Sequence, residues 1–230
     1  MTTCSESRHI KSVAIRHAWA ARVGHLIAGI GPEHARCRYS NYIPSTDLQA
    51  AAKAAVMAYG RGSPWSMVLA GPPGTGKTHL LASMWHHFNV WKARKEISEL
   101  GTLDDYAGPF GVIATETALE WRWRRATDAQ FSRRHDNGES PTDILNELAT
   151  TVLLIIDDFG IVSPTAAAWH NAMNQILCER YRSGHHTVLS TNLRSREVAG
   201  IYGAHGERIA SRLSAGQCLR LDGPDRRRVA

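Results

Sequence analysis

The chain has 230 residues, of which 43% are hydrophobic and 21% are charged, so its composition is that of an average soluble globular protein and excludes wholesale disorder. This length accommodates one α/β domain with a modest appendage and makes a second large domain unexpected. The formal net charge of +6 favours a polyanionic partner such as nucleic acid, although solubility alone would explain so mild an excess.

The apolar segments and the cysteines indicate where the protein resides. No run approaches the ~18 to 20 apolar residues of a membrane span, and the start of the chain has no apolar signal core. The four cysteines lie far apart and form no Cys-x-x-Cys pair, so they suggest neither a zinc knuckle nor a disulfide framework. We expect a soluble, cytoplasmic protein with no membrane partner.

Two regions are predicted along the chain. Residues 1–38 contain short apolar pieces interrupted by glycine and proline, which is typical of one or two small helices and a linker. Residues 39–230 are predicted to form the main domain, which begins with an extended segment ahead of Pro44. Candidate N-cap residues at 45–47 precede an Ala-rich helix that ends near Tyr59.

The rest of the chain alternates between strands and helices. The predicted strands are 65–70, 111–115, 151–156, 187–191 and 217–221, and the predicted helices are 79–95, 117–134, 142–149, 165–182 and 207–213. The run 151–156 lacks polar alternation, which predicts a strand buried on both faces. The sequence therefore predicts an α/β fold with a five-stranded parallel sheet between helices.

A glycine-rich segment between the first strand and its helix matches the phosphate-loop (P-loop, or Walker A) pattern. It comprises Gly71, Pro72, Pro73, Gly74, Thr75, Gly76, Lys77 and Thr78, and the adjoining His79 is included as a nucleotide-binding candidate. The glycines allow successive N–H groups to face a phosphate at a helix N-terminus. Lys77 is expected to reach the β- and γ-phosphates of ATP, and the Thr78 hydroxyl to bind Mg²⁺. The alternative is a glycine-rich turn with a solvated lysine.

Two acidic residues follow the most apolar strand. Asp157 and Asp158 stand at its carboxyl end, the edge of an α/β sheet where ligands collect. As a Walker B motif, Asp157 would hold the Mg²⁺ shell and Asp158 would orient or deprotonate the attacking water. A solvated turn is the alternative, because Asp-Asp pairs also cap helices. Along the chain, one predicted strand and its helix lie between the two motifs. This connectivity is typical of NTPases in which another strand separates, within the sheet, the strand before the phosphate loop from the strand before the acids.

Asn192 ends the next apolar strand at the same predicted edge of the sheet. Its amide could contact the γ-phosphate or the attacking water. Asparagine is also an ordinary turn residue, so its position leaves both interpretations open.

The order of these motifs resembles the AAA+ ATPases, and more closely the bacterial replicative helicase loaders (DnaC-type) and the related transposition helper ATPases (IstB-type). The resemblance covers roughly residues 39–222. The matching segments are 41–42, 71–78, 153–160, 179–182, 190–193 and 207–213. It implies that ATP and Mg²⁺ are the cofactors and that Asn192 is sensor 1. Tyr42, with Tyr39 and Ile43, lies where relatives pack the adenine.

The resemblance also implies an arginine finger that acts on the ATP of a neighbouring subunit. Arg212 matches that position, and Arg208, one helical turn earlier, is the second candidate. ATP would then hold a homo-oligomer together. The alternative for both arginines is a salt-bridged surface helix.

This chain departs from many AAA+ proteins in two places. Asp158 stands where many carry Glu, and its shorter side chain predicts slow turnover. The chain also ends soon after the fifth predicted strand, which leaves no room for a C-terminal helical lid; the loaders resemble this shorter form.

A cluster of tryptophan and arginine on the helix predicted at 117–134 is a candidate surface for single-stranded DNA. Its members are Trp121, Arg122, Arg125 and Arg133, and Trp123 lies beside them. Arginine for phosphates with aromatic rings for bases is typical of single-strand binding. In the alternative interpretation, Trp123 and Phe131 pack inward and the arginines are only solvated. The histidine pairs 86–87 and 185–186 have no ligand partners at metal spacing.

These features favour an ATP-hydrolysing DNA replication factor that loads a replicative helicase on single-stranded DNA. A transposition helper acting with a transposase would use the same ATPase on duplex DNA. A nucleotide-switched adaptor with little hydrolysis is a third hypothesis, and a small-molecule kinase is disfavoured because no acceptor-binding segment is recognisable. We expect residues 1–38 to dock the helicase or the transposase.

Overall fold

A computed structural model describes residues 31–60, 62–100, 111–128 and 139–226. The predicted docking segment, residues 1–38, therefore lies largely outside the described residues. Among the helices that the structure describes, none is long and apolar enough to cross a membrane.

Five strands and seven α-helices make up the described part of the domain. The strands are β1 Ser66–Ala70, β2 Gly111–Thr115, β3 Leu153–Asp157, β4 His186–Thr191 and β5 Gln217–Arg220. The helices are α1 Asp47–Ala58, α2 Lys77–Leu100, α3 Glu116–Thr127, α4 Pro141–Thr150, α5 Ala167–Ser183, α6 Ser195–Ile201 and α7 Gly206–Ser214. Short 3₁₀ turns occur at Pro32–Arg36, Tyr39–Asn41 and Gly203–His205.

The strands form one parallel sheet in the order β2-β3-β4-β1-β5. Strand β4 lies between β1, which precedes the phosphate loop, and β3, which precedes the two acids. The predicted separation of these two strands, and with it the α/β fold class, is confirmed.

The core has two halves, one on each face of the sheet. Leu153 and Ile155 of β3 pack with α1 and α2 on one face, and Leu154 and Ile156 pack with the helices of the other face. Every residue of β3 is buried. Successive side chains of β3 enter opposite halves of the core. This strand is therefore buried on both faces, as its lack of polar alternation predicted.

Arg180 of α5 ties the second core half together. It is fully buried and donates to the main-chain oxygens of Leu148 and Thr151, each at 2.8 Å, and to Thr187 Oγ1 at 2.8 Å. Leu148 and Thr151 belong to the end of α4 and the residues just after it, where carbonyl groups have no partner in the helix. This arginine therefore joins α4, α5 and β4.

The structure differs from the sequence prediction at several boundaries. Residues 39–41 form a 3₁₀ turn instead of an extended segment, since the Asn41 side chain accepts a hydrogen bond from the Arg38 N–H at 2.8 Å. Helix α6 was not predicted, because it is short and follows a turn-forming asparagine. Helix α2 is longer than predicted. Helix α3 ends at Thr127, and residues 129–138 lie outside the described part of the chain.

Candidate nucleotide-binding site

The glycine-rich loop between β1 and α2 folds tightly around the side chain of Lys77. Lys77 is only 6% exposed, and its ammonium donates to the main-chain oxygens of Gly71 and Pro72, each at 2.8 Å. Gly76 has a φ of 93°, and a Cβ there would lie 2.6 Å from the Tyr42 ring. A side chain at this position is therefore excluded both by the backbone conformation and by space.

A cavity of about 450 Å³ opens beside this loop. Its lining residues are His34, Pro73, Gly74, Gly76, Lys77, Thr78, His79, Asp158, Asn192 and Arg226. The loop after β1 thus meets the residues that follow β3 and β4 at the carboxyl edge of the sheet. Thr78, Asp158 and Asn192, which are far apart in the sequence, face one space as the motifs predict.

Ser190 of β4 connects the two acidic residues. Its hydroxyl donates to the carboxylate of Asp157, which is 2% exposed, and its oxygen accepts the Asp158 N–H at 3.0 Å. Asp158 has a φ of 53°, a conformation that costs free energy in a non-glycine residue and persists only where the surroundings hold it. Asp157 is therefore fixed inside the sheet edge, whereas Asp158 turns to the cavity.

Tyr42 supports the phosphate loop from behind. It is fully buried, donates its hydroxyl to the main-chain oxygen of Thr75 at 3.2 Å, and meets the His79 ring edge-on at 5.3 Å. Burial raises the pKa of the phenol. The prediction that Tyr42 contacts the nucleotide base is corrected on this point, since in the described residues its side chain packs against the loop and does not line the cavity.

His79, in contrast, lines the cavity. Its Nε2 lies 3.1 Å from the Arg38 main-chain oxygen and 2.9 Å from Asn41 Oδ1. Burial lowers the pKa of the imidazole below its usual value, which favours the neutral ring. A neutral His79 accordingly contributes hydrogen-bonding atoms to the cavity wall and little charge.

Arg226 is a cavity residue that the sequence did not identify. Its main-chain N–H donates to the Gly74 main-chain oxygen at 3.1 Å. Its guanidinium lies 4.5 Å from the Tyr42 ring centre, and Nη2 donates to Gln49 Oε1 at 2.5 Å. In the sequence, Arg226 stands out only as part of the basic run 226–228 near the end of the chain. These contacts depend on Tyr42, Gln49 and Gly74, which no local pattern in the sequence links to Arg226.

Glu116 is a second residue whose role the sequence did not reveal. Its buried carboxylate accepts hydrogen bonds from the Gly160 N–H at 2.7 Å, from Trp169 Nε1 at 3.0 Å and from the Tyr202 hydroxyl. Burial raises the pKa of this carboxyl group despite the three donors. The network joins the start of α3 to the loop that follows the acidic strand and to the end of α6.

The two candidate finger arginines lie on α7, away from this cavity. Arg208 is exposed, and Arg212 is partly buried. Among the described residues, Arg212 Nη1 is buried without a hydrogen-bond partner. Action on the nucleotide of a neighbouring subunit stays a prediction for both.

The predicted DNA surface is divided by the fold. Trp121 is more than half exposed, and the Arg125 guanidinium lies 4.6 Å from its ring centre. Arg122 instead makes ion pairs with Glu139 and Glu147, so its prediction as a phosphate contact is corrected. Trp123 packs inward against Trp169, with ring centres 6.1 Å apart, as in the alternative interpretation. Arg133 lies outside the described residues.

The parallel sheet, the glycine-rich loop after β1 and the acids after β3 have the arrangement of the P-loop fold of the AAA+ class. No protein-family model matches the sequence. The replicative helicase loader DnaC of Escherichia coli (strain K12) is 26% identical over 196 residues, which cover 84% of this chain and 69% of that protein. The resemblance to the DnaC-type AAA+ family is thereby confirmed.

Solved structures give the same fold. A crystal structure of the DnaC helicase loader is 17% identical and matches with a TM-score of 0.58 over 84% of this chain and 100% of that one. The replication initiator DnaA bound to AMPPCP and single-stranded DNA is 16% identical and matches with a TM-score of 0.54 over 84% of this chain and 51% of that one.

Proposed function

We propose that this protein binds and hydrolyses ATP with Mg²⁺ and loads a replicative helicase on single-stranded DNA. The observation that carries the proposal is the cavity in which Lys77 and Thr78 meet Asp158 and Asn192, in a chain whose sequence is similar to that of a helicase loader. Residues 1–38 would dock the helicase, and residues 39–230 would form the ATPase domain.

The chemistry of the cavity fits a magnesium nucleoside triphosphate. The N–H groups from Gly74 to Lys77 and the start of α2 would hold the β-phosphate, and the Lys77 ammonium would reach the β- and γ-phosphates. Thr78, which lines the cavity, and Asp157, which is buried at the end of β3, would supply the oxygen ligands that Mg²⁺ prefers. Bound Mg²⁺ would neutralise charge on the phosphates.

Hydrolysis would depend on the residues that face the cavity from β3 and β4. Asp158 would orient the attacking water and accept its proton, and Asn192 would hold the water or the γ-phosphate. Ser190 would act as a positioning residue, because it fixes the main chain of Asp158 and the carboxylate of Asp157. Arg212 or Arg208 would complete the site of a neighbouring subunit in an ATP-dependent homo-oligomer.

Single-stranded DNA as the nucleic-acid partner is supported by two observations. The DnaA structure that shares this fold was solved with single-stranded DNA. On this chain, the exposed Trp121 with the Arg125 guanidinium beside it would offer a stacking surface for bases.

A loading assay with Lys77→Ala tests the proposal. The full chain should bind ATP, and with a hexameric replicative helicase it should place that helicase on circular single-stranded DNA only when ATP is present. Lys77→Ala should lose ATP binding and loading together, whereas Arg196→Ala, an exposed residue of α6, should keep both. Absence of ATP binding by the parent, or ATP-dependent delivery of a transposase to duplex DNA without helicase loading, would refute it.

The conformation of Asp158 favours one second candidate, a nucleotide-switched adaptor that hydrolyses little ATP. A shorter acid than Glu, held at a φ of 53°, restricts where the attacking water can sit. The adaptor would assemble with ATP and with a non-hydrolysable analogue equally well. Single-turnover hydrolysis measured with and without single-stranded DNA decides between the candidates, since the loader predicts turnover that DNA stimulates.

A further inference from the structure

The three residues after β3, Asp158, Phe159 and Gly160, form a segment that we name the acid loop. Strand β4 holds its first two residues. The Asp158 N–H donates to Ser190 Oγ at 3.0 Å, and the Phe159 N–H donates to the Ser190 main-chain oxygen at 2.7 Å. The Phe159 main-chain oxygen accepts a hydrogen bond from Thr191 Oγ1 at 2.8 Å. These contacts fix the loop as far as Phe159, and Gly160 is held by a different element.

Glu116 holds the end of the acid loop from the opposite side. Strand β3 lies between β2 and β4 in the sheet, and Thr115 at the end of β2 pairs with Asp157. Glu116 begins α3 at the next position, and its Oε2 accepts the Gly160 N–H at 2.7 Å. The acid loop is therefore tied to the residues that follow both neighbours of β3.

Gly160 lies at a close approach between the acid loop and the residues after β4. It has a φ of 90°, which favours glycine, and a Cβ there would lie 2.6 Å from Leu193 Cδ1. Leu193 directly follows Asn192, which lines the nucleotide cavity together with Asp158. A shift of Gly160 would therefore displace residues on both sides of the proposed position of the attacking water.

The partners of Glu116 require both of its oxygens to be acceptors. Trp169 Nε1 donates to Oε1 at 3.0 Å, and the Tyr202 hydroxyl donates to the same oxygen. An indole N–H and a main-chain N–H can only donate, and here they bind different oxygens. A carboxylate satisfies this arrangement. An amide in its place would have to turn its NH₂ group toward either the Gly160 N–H or the Trp169 N–H.

The burial of Glu116 indicates that its carboxylate has a use beyond filling space. The residue is fully buried, and burying an acid costs free energy that its hydrogen bonds only partly offset. An apolar side chain would fill the same volume at a lower cost but would leave the Gly160 N–H unpaired. In the described part of the chain Glu116 does not line the nucleotide cavity, so it acts on that site through the acid loop.

We propose that Glu116 is a positioning residue for ATP hydrolysis. Its carboxylate holds the Gly160 N–H, and the acid loop thereby presents Asp158 to the attacking water. This role rests on the proposed ATPase function. It is distinct from that of Ser190, because Glu116 fixes the far end of the loop from α3. ATP binding does not depend on it, since the phosphate loop follows β1, which is two strands away from β3.

Steady-state ATPase kinetics and binding of a fluorescent ATP analogue, mant-ATP, to the full chain test this role. Glu116→Gln should lower kcat about 10-fold or more, while KM and the affinity for mant-ATP stay within about 2-fold. Tyr202→Phe is the matched control, because it removes another donor to the same carboxylate and leaves the Gly160 hydrogen bond in place. It also keeps the ring that stacks on Phe159, with centres 5.0 Å apart. This control should lower the thermal midpoint of unfolding but keep kcat within about 2-fold.

A double variant separates hydrogen bonding from general destabilisation. In Glu116→Gln combined with Trp169→Phe the indole donor is absent. The amide oxygen can then accept the Gly160 N–H, and the NH₂ group can donate to the Tyr202 hydroxyl. The kcat of the double variant should therefore return to within about 2-fold of that of Trp169→Phe alone, although it carries two substitutions in the core.

The outcomes separate this role from the proposed function. If the parent hydrolyses ATP, the role is overturned by an unchanged kcat in Glu116→Gln, by an equal loss of kcat in Tyr202→Phe, or by additive losses in the double variant. A parent that binds ATP without hydrolysing it would overturn the proposed hydrolysis, and the role of Glu116 with it. Retained mant-ATP binding shows that a variant is folded. If Glu116→Gln does not fold, Glu116→Asp, which keeps both acceptor oxygens on a shorter side chain, replaces it with the same expected loss of kcat.

Discussion

Removing the Ser190 hydroxyl tests how the two acidic residues are held. In Ser190→Ala, the buried Asp157 carboxylate loses a donor, and the Asp158 N–H loses its acceptor at 3.0 Å. A hydrogen bond to a charged group contributes about 1.5–3 kcal/mol and a neutral one about 0.5–1.5 kcal/mol, so we expect the free energy of unfolding to fall by about 2–4 kcal/mol.

The same change should affect hydrolysis more than ATP binding. Lys77 donates to the main-chain oxygens of Gly71 and Pro72, which the substitution does not change, so KM for ATP should be nearly constant. The backbone of Asp158 loses one of the contacts that hold it at its positive φ, and a misplaced water-orienting carboxylate should lower kcat about 10-fold or more.

Chemical denaturation and steady-state ATPase kinetics measure the two effects. Ser214→Ala is the matched control, because its exposed hydroxyl donates only to the Ser211 main-chain oxygen at 2.8 Å. That control should change the free energy of unfolding by less than about 0.5 kcal/mol. A Ser190→Ala protein as stable and as active as the control would refute the proposed positioning role.

Two further predictions concern the DNA surface and a buried carboxyl group. Trp121→Ala should weaken single-stranded DNA binding about 10-fold. Arg122→Gln should leave that affinity nearly unchanged and should lower the free energy of unfolding by at most about 1 kcal/mol, since its ion pairs are partly exposed. Equal losses of DNA affinity in the two variants would contradict this division. Because burial raises the pKa of Glu116, its contribution to stability is full below the ordinary carboxyl pKa of 4.5 and is lost as pH rises through the folded value. Denaturation series across that range should show this decline in the parent and not in Glu116→Gln.

The sequence predicted the parts of this protein that depend on local pattern. Strand β2 has the predicted bounds, and Thr46, one of the candidate N-caps, accepts the Gln49 N–H at 3.2 Å. The phosphate loop and the two acids could also be located, because a glycine-rich turn between a strand and a helix and paired carboxylates after an apolar strand are local signals.

What the sequence could not predict depends on neighbours that are distant in the chain. Arg122 appeared to be a DNA contact because its partners, Glu139 and Glu147, follow in another segment. Ser190 has a role only because β4 pairs with β3 in a register that sets it beside Asp157. Tyr42 lies near the site, as expected, but its depth behind the loop is fixed by packing against Gly76.

Helix α2 runs without interruption from the phosphate loop to Leu100, beyond the amino ends of the neighbouring strands. Lys77 at its start and Trp91 are separated by about 21 Å at the usual rise per residue. A rod of that length acts as a lever, so a tilt of about 5° at the loop moves the tryptophan by about 2 Å. A rearrangement of this loop that tilts the helix would therefore also displace side chains at the far edge of the sheet.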